Sequence, residues 1–255
     1  MTRCLTPLLA LCLLTAGAGA AADEEIRVMS SGGFTAAYLE LVPQFERASQ
    51  RKIVTAFGAS MGDAPDSIPS RLQRGEPADV VILADSALDD LIAHGHVIAG
   101  SRVDLARSRI GVAVRAGSAH PDISTVAALT RALLNAKSIA YSSSASGVYV
   151  STELFQRLGI AAEVTGKSRR IESERVAAVV ARGEAEIGFQ QISELLPVPG
   201  IDYLGPLPAA VQRVTVFSAG VASGARSPDA ARALIRFLAS PAAAAAIEKS
   251  GMDAR

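Results

Sequence analysis

The sequence has no tryptophan and only two cysteines, Cys4 and Cys12, which both lie near the amino terminus. The rest of the chain therefore has no thiol to act as a nucleophile or metal ligand, and no disulfide to stabilise it. Net charge is also absent, because 25 basic residues balance 25 acidic ones. That balance argues against a nucleic-acid-binding protein and against an acidic tail. With 255 residues, 49% of them hydrophobic, the chain is long enough to bury a core without cross-links.

The first 22 residues have the pattern of a secretory signal peptide. Arg3 gives a positive start, an apolar stretch follows over residues 8–14, and small residues favour cleavage after Ala20 or Ala22. The apolar stretch is shorter than the ~20 residues that a membrane span needs. We therefore predict a periplasmic chain without a membrane span, from which both cysteines leave with the signal peptide.

Short apolar runs alternate with segments of helical periodicity from residue 26 onward. The run over residues 79–83 is apolar on both faces, as expected for a parallel strand covered by helices on each side. One helix is predicted to begin at Thr35 and another to have Ser124 as its N-cap. The alternation predicts an α/β fold with mixed, mostly parallel sheets and helices on both faces.

Three turns rich in serine and glycine follow predicted strands, over residues 30–33, 58–62 and 144–147. Each presents hydroxyls and free backbone N–H groups, and two of them open a helix whose N-terminus attracts an anion. Ligands of open α/β sheets bind at this end of the strands. The alternative is ordinary N-capping by serine with glycine in a tight turn. Two such turns in corresponding halves of the chain favour a shared ligand cleft.

Longer motifs extend from these turns and cover nearly the whole chain: residues 28–37, 57–60, 74–85, 145–149, 180–188 and 237–241. The turn Gly75-Glu76-Pro77-Ala78-Asp79-Val80 is the most diagnostic. Together they resemble the molybdate-binding family of periplasmic ABC-transporter receptors, a branch of the type-2 periplasmic binding protein fold. The resemblance implies two α/β lobes that close on a ligand. We assign residues 23–106 and 216–255 to lobe 1 and residues 107–215 to lobe 2.

The same resemblance implies a set of binding residues. The family's first serine falls near Gly33 and its second on Ser60, whereas its tyrosine is replaced by Gln190-Gln191. An amide can donate to a carboxylate, and an insertion beginning at Met61 could reshape one wall. The predicted ligand-binding residues are Ser30, Ser31, Gly32, Gly33, Ser60, Met61, Ser144, Ser146, Gly147, Arg170, Ser173, Gln190 and Gln191.

Arg170 belongs to a basic cluster with Lys167 and Arg169, before Ser173. An arginine suits a carboxylate ligand through two parallel hydrogen bonds. The alternative is a solvated basic patch.

Two functions stay open. The first is a monomeric solute-binding protein that holds a small anion, either a carboxylate such as aconitate or an oxyanion, for an inner-membrane ABC permease, with no metal and no cofactor. For the second, the motifs Ser-Ser-Gly-Gly and Gly-Phe-Gln-Gln resemble those of aconitate isomerase of the same superfamily, which moves a proton between carbons of cis- and trans-aconitate. That reaction needs an acid/base. Glu172, Glu174 and Tyr149 are candidates because they lie beside the matched binding positions.

Overall fold

The structure is a computed structural model that describes residues 25–255. The predicted signal peptide, residues 1–22, lies outside the described residues. Within residues 25–255 ten strands are formed: β1 (Glu25–Ser31), β2 (Lys52–Gly58), β3 (Val80–Ala84), β4 (Val103–Arg115), β5 (Ile139–Ser142), β6 (Ser168–Ile171), β7 (Ile187–Gln191), β8 (Ile201–Pro206), β9 (Val214–Val221) and β10 (Asp253–Ala254).

Eleven α-helical segments connect and cover these strands in the described residues: α1 (Gly32–Ser49), α2 (Ile68–Gln73), α3 (Asp85–Ala93), α4 (Val126–Asn135), α5 (Ala145–Tyr149), α6 (Phe155–Arg157), α7 (Ala161–Thr165), α8 (Val176–Ala181), α9 (Ile192–Leu195), α10 (Pro228–Leu238) and α11 (Ala244–Lys249). A π-helical turn, Val150–Leu154, joins α5 to α6. Short 3₁₀ turns lie at Ala209–Val211 and Pro241–Ala243.

The strand order places the long strand β4 at the junction of two halves of the molecule. One half has the order β2-β1-β3-β9-β4, and the other has the order β4-β7-β5-β6. Residues 103–109 of β4 pair with β9, whereas residues 110–115 pair with β7 and β8. Strand β1 is parallel to both its neighbours, and so is β5, whereas β9 is antiparallel to β3 and β4. The mixed α/β architecture predicted from the sequence is thus confirmed.

Each half has its own hydrophobic core. In the first half, α1 and α10 cover the sheet and bury side chains such as Phe34, Leu41 and Leu234. In the second half, α4 and α6 pack on β4 and β7 and bury Leu129, Phe155 and Phe189. Two separate cores joined by shared strands allow the halves to meet along a cleft.

Some helix boundaries differ from the sequence predictions. Helix α1 begins at Gly32 and not at Thr35, so both glycines of the first turn are helical. The prediction of Ser124 as an N-cap is wrong: Thr125 caps α4, and its Oγ1 accepts a hydrogen bond from the backbone N–H of Ala128 at 3.1 Å. Ser124 instead donates its backbone N–H to Asp122 at 2.9 Å. Threonine and serine are nearly equivalent caps, so composition alone does not choose between neighbours.

Within residues 25–255, no single helix has both the length and the apolar composition of a membrane span. Helix α10 and the helical residues Pro241–Lys249 meet that test only together, as a pair bent by 58°.

Candidate ligand-binding cleft

A cavity of about 520 Å³ lies between the two halves, where β1, β2, β5, β6 and β7 end. Helices α1, α5 and α8 begin at its wall, so backbone N–H groups face the cavity from both halves. All three turns singled out in the sequence reach it. Its lining includes nine of the predicted ligand-binding residues: Ser31, Gly32, Gly33, Ser60, Ser144, Ser146, Ser173, Gln190 and Gln191.

Three other predicted ligand-binding residues lie away from the cavity lining. Ser30 is fully buried behind it. Gly147 packs so closely on the backbone of Ser142 that a Cβ at this position would overlap the Ser142 carbonyl. Met61 borders a separate cavity of about 330 Å³. These residues support the turns, and the cavity is formed without their side chains.

Arg170 and Tyr149 also lie outside the cavity lining, and both have partners elsewhere. The exposed Arg170 guanidinium is 2.6 Å from the Glu172 carboxylate. The Tyr149 hydroxyl donates to the Val211 carbonyl at 2.6 Å and accepts a hydrogen bond from Arg157 at 3.0 Å. Strand β6, which carries Arg170, is an edge strand, and the Arg170 side chain is 59% exposed.

The two glycines at the start of α1 are required by what packs against them. A Cβ at Gly33 would overlap the ring of Phe217, a buried residue of β9 that also lines the cavity. A Cβ at Gly32 would overlap the carboxylate of Glu194 from α9. The glycine at position 33, where the molybdate-binding family has a serine nearby, is therefore explained by the aromatic ring behind it.

Two buried polar atoms in the lining have no hydrogen-bond partner among the described residues: Ser31 Oγ and Gln191 Oε1. Both residues are 2% exposed. The amide nitrogen of Gln191 donates to Thr215 Oγ1 at 2.9 Å, which fixes the side chain. Because buried polar groups are almost always paired, these two atoms mark positions for the polar groups of a ligand or its water.

In the part of the chain that the structure describes, five titratable residues line the cavity: Asp66, Glu172, Glu174, Arg175 and Glu194. Arg175 directly precedes α8 and is partly buried, and no hydrogen bond or ion pair to another residue of the described chain holds its guanidinium. It is the one cationic side chain among the described residues of this lining, whereas the sequence had pointed to Arg170. An arginine without a protein partner in a polar cavity is placed to bind an anionic ligand.

Glu174 lines the cavity but is exposed and held by an arginine. The guanidinium of Arg182 donates to both carboxylate oxygens of Glu174, at 2.9 and 3.0 Å. Arg182 therefore holds the pKa of Glu174 below its usual range. A lowered pKa makes this carboxylate a weaker proton acceptor than the sequence suggests.

Glu194 differs from the other carboxylates because its environment disfavours the charge. Gln190 Nε2 donates to its Oε1 at 3.0 Å, and the backbone N–H of Gln191 donates to the carboxylate as well. Burial raises the pKa of Glu194 to about 7, against the opposing effects of nearby Arg175 and of these two donors. A carboxyl with such a pKa is present in both protonation states near neutral pH.

The local sequence explains how Glu194 is positioned. Gln191 is the N-cap of α9, and Glu194 is the third residue of that helix. A glutamate at this position can accept a hydrogen bond from the N-cap backbone N–H, which is one half of a capping box. The spacing Gln191-x-x-Glu194 was thus a signal in the sequence, although it indicates a helix start and not a ligand site.

The two halves touch across the cleft through hydrogen bonds beside the cavity. Ser193 Oγ donates to the carbonyl of Gly33 at 2.6 Å. On the opposite side, the backbone N–H of Ser60 donates to Ser144 Oγ at 3.2 Å. These contacts hold α9 against α1 and the second turn against the third, which is a closed arrangement of the cleft.

Two α/β halves that share long strands and enclose a polar cavity define a solute-binding protein of the periplasmic type. The sequence matches the bacterial extracellular solute-binding protein family over residues 26–253, and the chain belongs to this family. The predicted resemblance to its molybdate-binding members and the predicted fold class are both confirmed.

Three known proteins illustrate the relationship. Aconitate isomerase of a Pseudomonas species is 50% identical over 227 residues, which cover 89% of this chain and 87% of that protein. The molybdate-binding protein ModA of Azotobacter vinelandii is 29% identical over 242 residues, or 91% of each chain. The solved periplasmic molybdate-binding protein of Azotobacter vinelandii superposes with a TM-score of 0.69 at 20% identity, covering 89% of this chain and 98% of its own. The predicted resemblance to aconitate isomerase is therefore also confirmed.

Proposed function

We propose that this protein is an isomerase that interconverts cis- and trans-aconitate by moving one proton between two carbons of the ligand. The observation that carries the proposal is the 50% identity to an aconitate isomerase across nearly the whole chain. Identity to the molybdate-binding relative is 29% over a similar length.

The cleft supports a small carboxylate ligand. Its volume of about 520 Å³ lies within the ~300–1,000 Å³ range of small-molecule sites. Arg175 supplies a guanidinium for one carboxylate, and Ser31 Oγ supplies a buried hydroxyl without a partner. The N-terminus of the 18-residue helix α1 adds backbone donors to the same wall. A tricarboxylate can use several such positions at once, whereas a tetrahedral oxyanion is satisfied by one compact cradle.

The proposed chemistry needs a proton acceptor and stabilisation of charge. A base removes a proton from the methylene carbon, and the electron pair of that C–H bond moves into a dienolate shared with the adjacent carboxylate. The double bond shifts by one carbon when the proton is delivered to the former vinyl carbon. No electron is gained or lost and the ligand keeps its formula. Arg175 and the backbone donors would stabilise the charge that develops on the carboxylate.

Transport is the second candidate function, favoured by the fold and by the molybdate-binding relative. In that case the closed cleft presents a bound anion to an ABC permease. For either function we propose a periplasmic location, export by residues 1–22, and a monomeric protein. The predicted lobe boundaries, 23–106 with 216–255 and 107–215, remain part of this proposal.

Proton NMR of the protein lacking residues 1–22, incubated with trans-aconitate, tests the first proposal. We expect signals of cis-aconitate to appear at a rate proportional to protein concentration. In parallel, calorimetric titrations with trans-aconitate, citrate, molybdate and tungstate measure the affinity of the protein for each anion. Unchanged trans-aconitate at high protein concentration refutes the isomerase, and tight binding of a panel member without turnover then supports transport.

A further inference from the structure

Glu194 projects from α9 into the cleft, opposite the start of α1. We propose that Glu194 is the catalytic acid/base, which takes the proton from the methylene carbon of the ligand and returns it to the former vinyl carbon. This inference rests on the proposed isomerase function and assigns the residue that the sequence left open.

The composition of the cavity lining restricts the choice. Among the described residues that line it, no histidine, cysteine, lysine or tyrosine is present, so the side chains able to accept a proton near neutral pH are carboxylates. Glu172 and Glu174 are exposed, and each is ion-paired with an arginine. Two carboxylates remain, Glu194 and Asp66, and Asp66 lies on the inserted loop after the second turn.

Contacts from separate parts of the chain orient Glu194. The Gln190 side chain and the Gln191 backbone each donate a hydrogen bond to its carboxylate. The absent side chain of Gly32 makes room for Oε1 beside the first turn of α1. Gln190 is itself held, because its Oε1 accepts a hydrogen bond from the backbone N–H of Ala177 in α8 at 3.4 Å. A carboxyl fixed in this way approaches the reacting carbon atom of a bound ligand in a single orientation.

The electrostatic environment of Glu194 suits a group that both accepts and donates a proton. Burial raises the pKa of Glu194 to about 7, which is close to the value at which one group both accepts and donates a proton efficiently at neutral pH. Arg175 faces the same carboxyl and influences it electrostatically, but the two do not form an ion pair within 4.0 Å. The guanidinium is therefore left to bind a ligand carboxylate, and the glutamate is left to exchange its proton.

The proposed reaction consists of two proton transfers through Glu194. One Glu194 oxygen forms an O–H bond as the methylene C–H bond breaks, and the electron pair enters the dienolate. The same O–H bond then breaks as a C–H bond forms at the other allylic carbon. Glu194 ends as a carboxylate, as it began. Because one carboxyl carries the proton between two carbons, part of the original hydrogen is retained in the product when the reaction runs in D₂O.

The variant Glu194→Gln tests the proposal with little structural change. Glutamine keeps the shape and an oxygen that can accept from Gln191, but it does not carry a proton between carbons. We expect kcat to fall by about 10²-fold or more, while the Kd of trans-aconitate from calorimetry changes by less than about tenfold. The wild type should show a pH dependence of kcat near 7 that this variant lacks.

Three further variants complete the test. Asp66→Asn tests the other remaining carboxylate, and Glu194→Asp, which keeps a carboxyl, should be more active than Glu194→Gln. Arg170→Ala, which removes an exposed arginine outside the cavity lining, is the control that should leave kcat unchanged. An inactive wild type overturns the proposed function and this inference with it. An active wild type together with a Glu194→Gln variant within tenfold of it overturns only the assignment of Glu194. A loss confined to Asp66→Asn transfers the role to Asp66 and also refutes the assignment.

Discussion

Replacing Glu194 with glutamine should stabilise the ligand-free protein, and by an amount that depends on pH. The carboxyl has an ordinary pKa of 4.5 in the unfolded chain and a pKa of about 7 in the folded protein. Each pKa unit corresponds to about 1.4 kcal/mol, so the ionised carboxylate costs the folded state about 3 kcal/mol. Glutamine has the same shape and no such cost.

The direction of this pH dependence is set by whether the folded or the unfolded state binds the proton more tightly. Between pH 4.5 and about 7 the folded protein holds a proton on Glu194 that the unfolded chain has released. The free energy of unfolding of the wild type therefore falls, relative to the variant, as the pH rises through this window. Below about pH 4 both states are protonated and the difference vanishes. Above about pH 8 the difference reaches its full value.

Urea denaturation of both proteins at pH 5 and pH 8, without ligand, measures this difference. At pH 8 the variant should be more stable by about 3 kcal/mol, or by about 6–12 °C in Tm for a chain of this size. At pH 5 the gain should be less than about 1 kcal/mol. A difference of equal size at both pH values would refute the reasoning, because it would show an effect of shape and not of charge.

The variant Glu174→Gln serves as a control, because it should change the free energy of unfolding in the opposite direction. Arg182 lowers the pKa of Glu174 in the folded protein, so this carboxylate stabilises the fold when ionised. Its removal should slightly destabilise the protein above the ordinary pKa, and this effect should disappear as the pH falls through the lowered pKa. Because Glu174 is exposed, the change should be small.

Two pairs of substitutions test the binding wall and the packing behind it. Arg175→Ala should weaken trans-aconitate binding by roughly thirtyfold, because about 2 kcal/mol of charge-assisted hydrogen bonding is lost. The control Arg170→Ala removes an exposed arginine paired with Glu172. Its calorimetric Kd for trans-aconitate should stay within about twofold of the wild-type value. Gly33→Ser should lower the free energy of unfolding by about 1–3 kcal/mol because its Cβ meets the Phe217 ring, and adding Phe217→Leu should recover part of the loss in the same denaturation assay.

Most of the cleft could be predicted because its residues lie in turns that follow strands. Ser31, Ser60, Ser146 and Gln191 all come at or just after the carboxyl end of an apolar run, and parallel strands bring these ends together. The alternation of strands and helices likewise indicated the fold class. Such features depend on local patterns that a single sequence displays.

The charged residues of the site were harder to predict because their environment is set by tertiary contacts. Arg170 and Arg175 lie five positions apart, and the sequence favoured Arg170. Arg170, however, lies on the edge strand β6, and its side chain pairs with Glu172. Glu194 resembles an ordinary helix-start glutamate. Its raised pKa arises from burial against α1, more than 150 residues away in the sequence.

The cross-cleft contacts have a consequence for the timing of chemistry. Glu194 belongs to one half of the molecule, and Gly32, whose missing side chain admits the carboxylate, belongs to the other. If the halves were separated, water would reach the Glu194 carboxylate, and its pKa would return toward that of a surface glutamate. Closure would thus act as an acidity switch: the enclosure of a ligand between the halves would also raise the pKa of the carboxyl that we propose reacts with it.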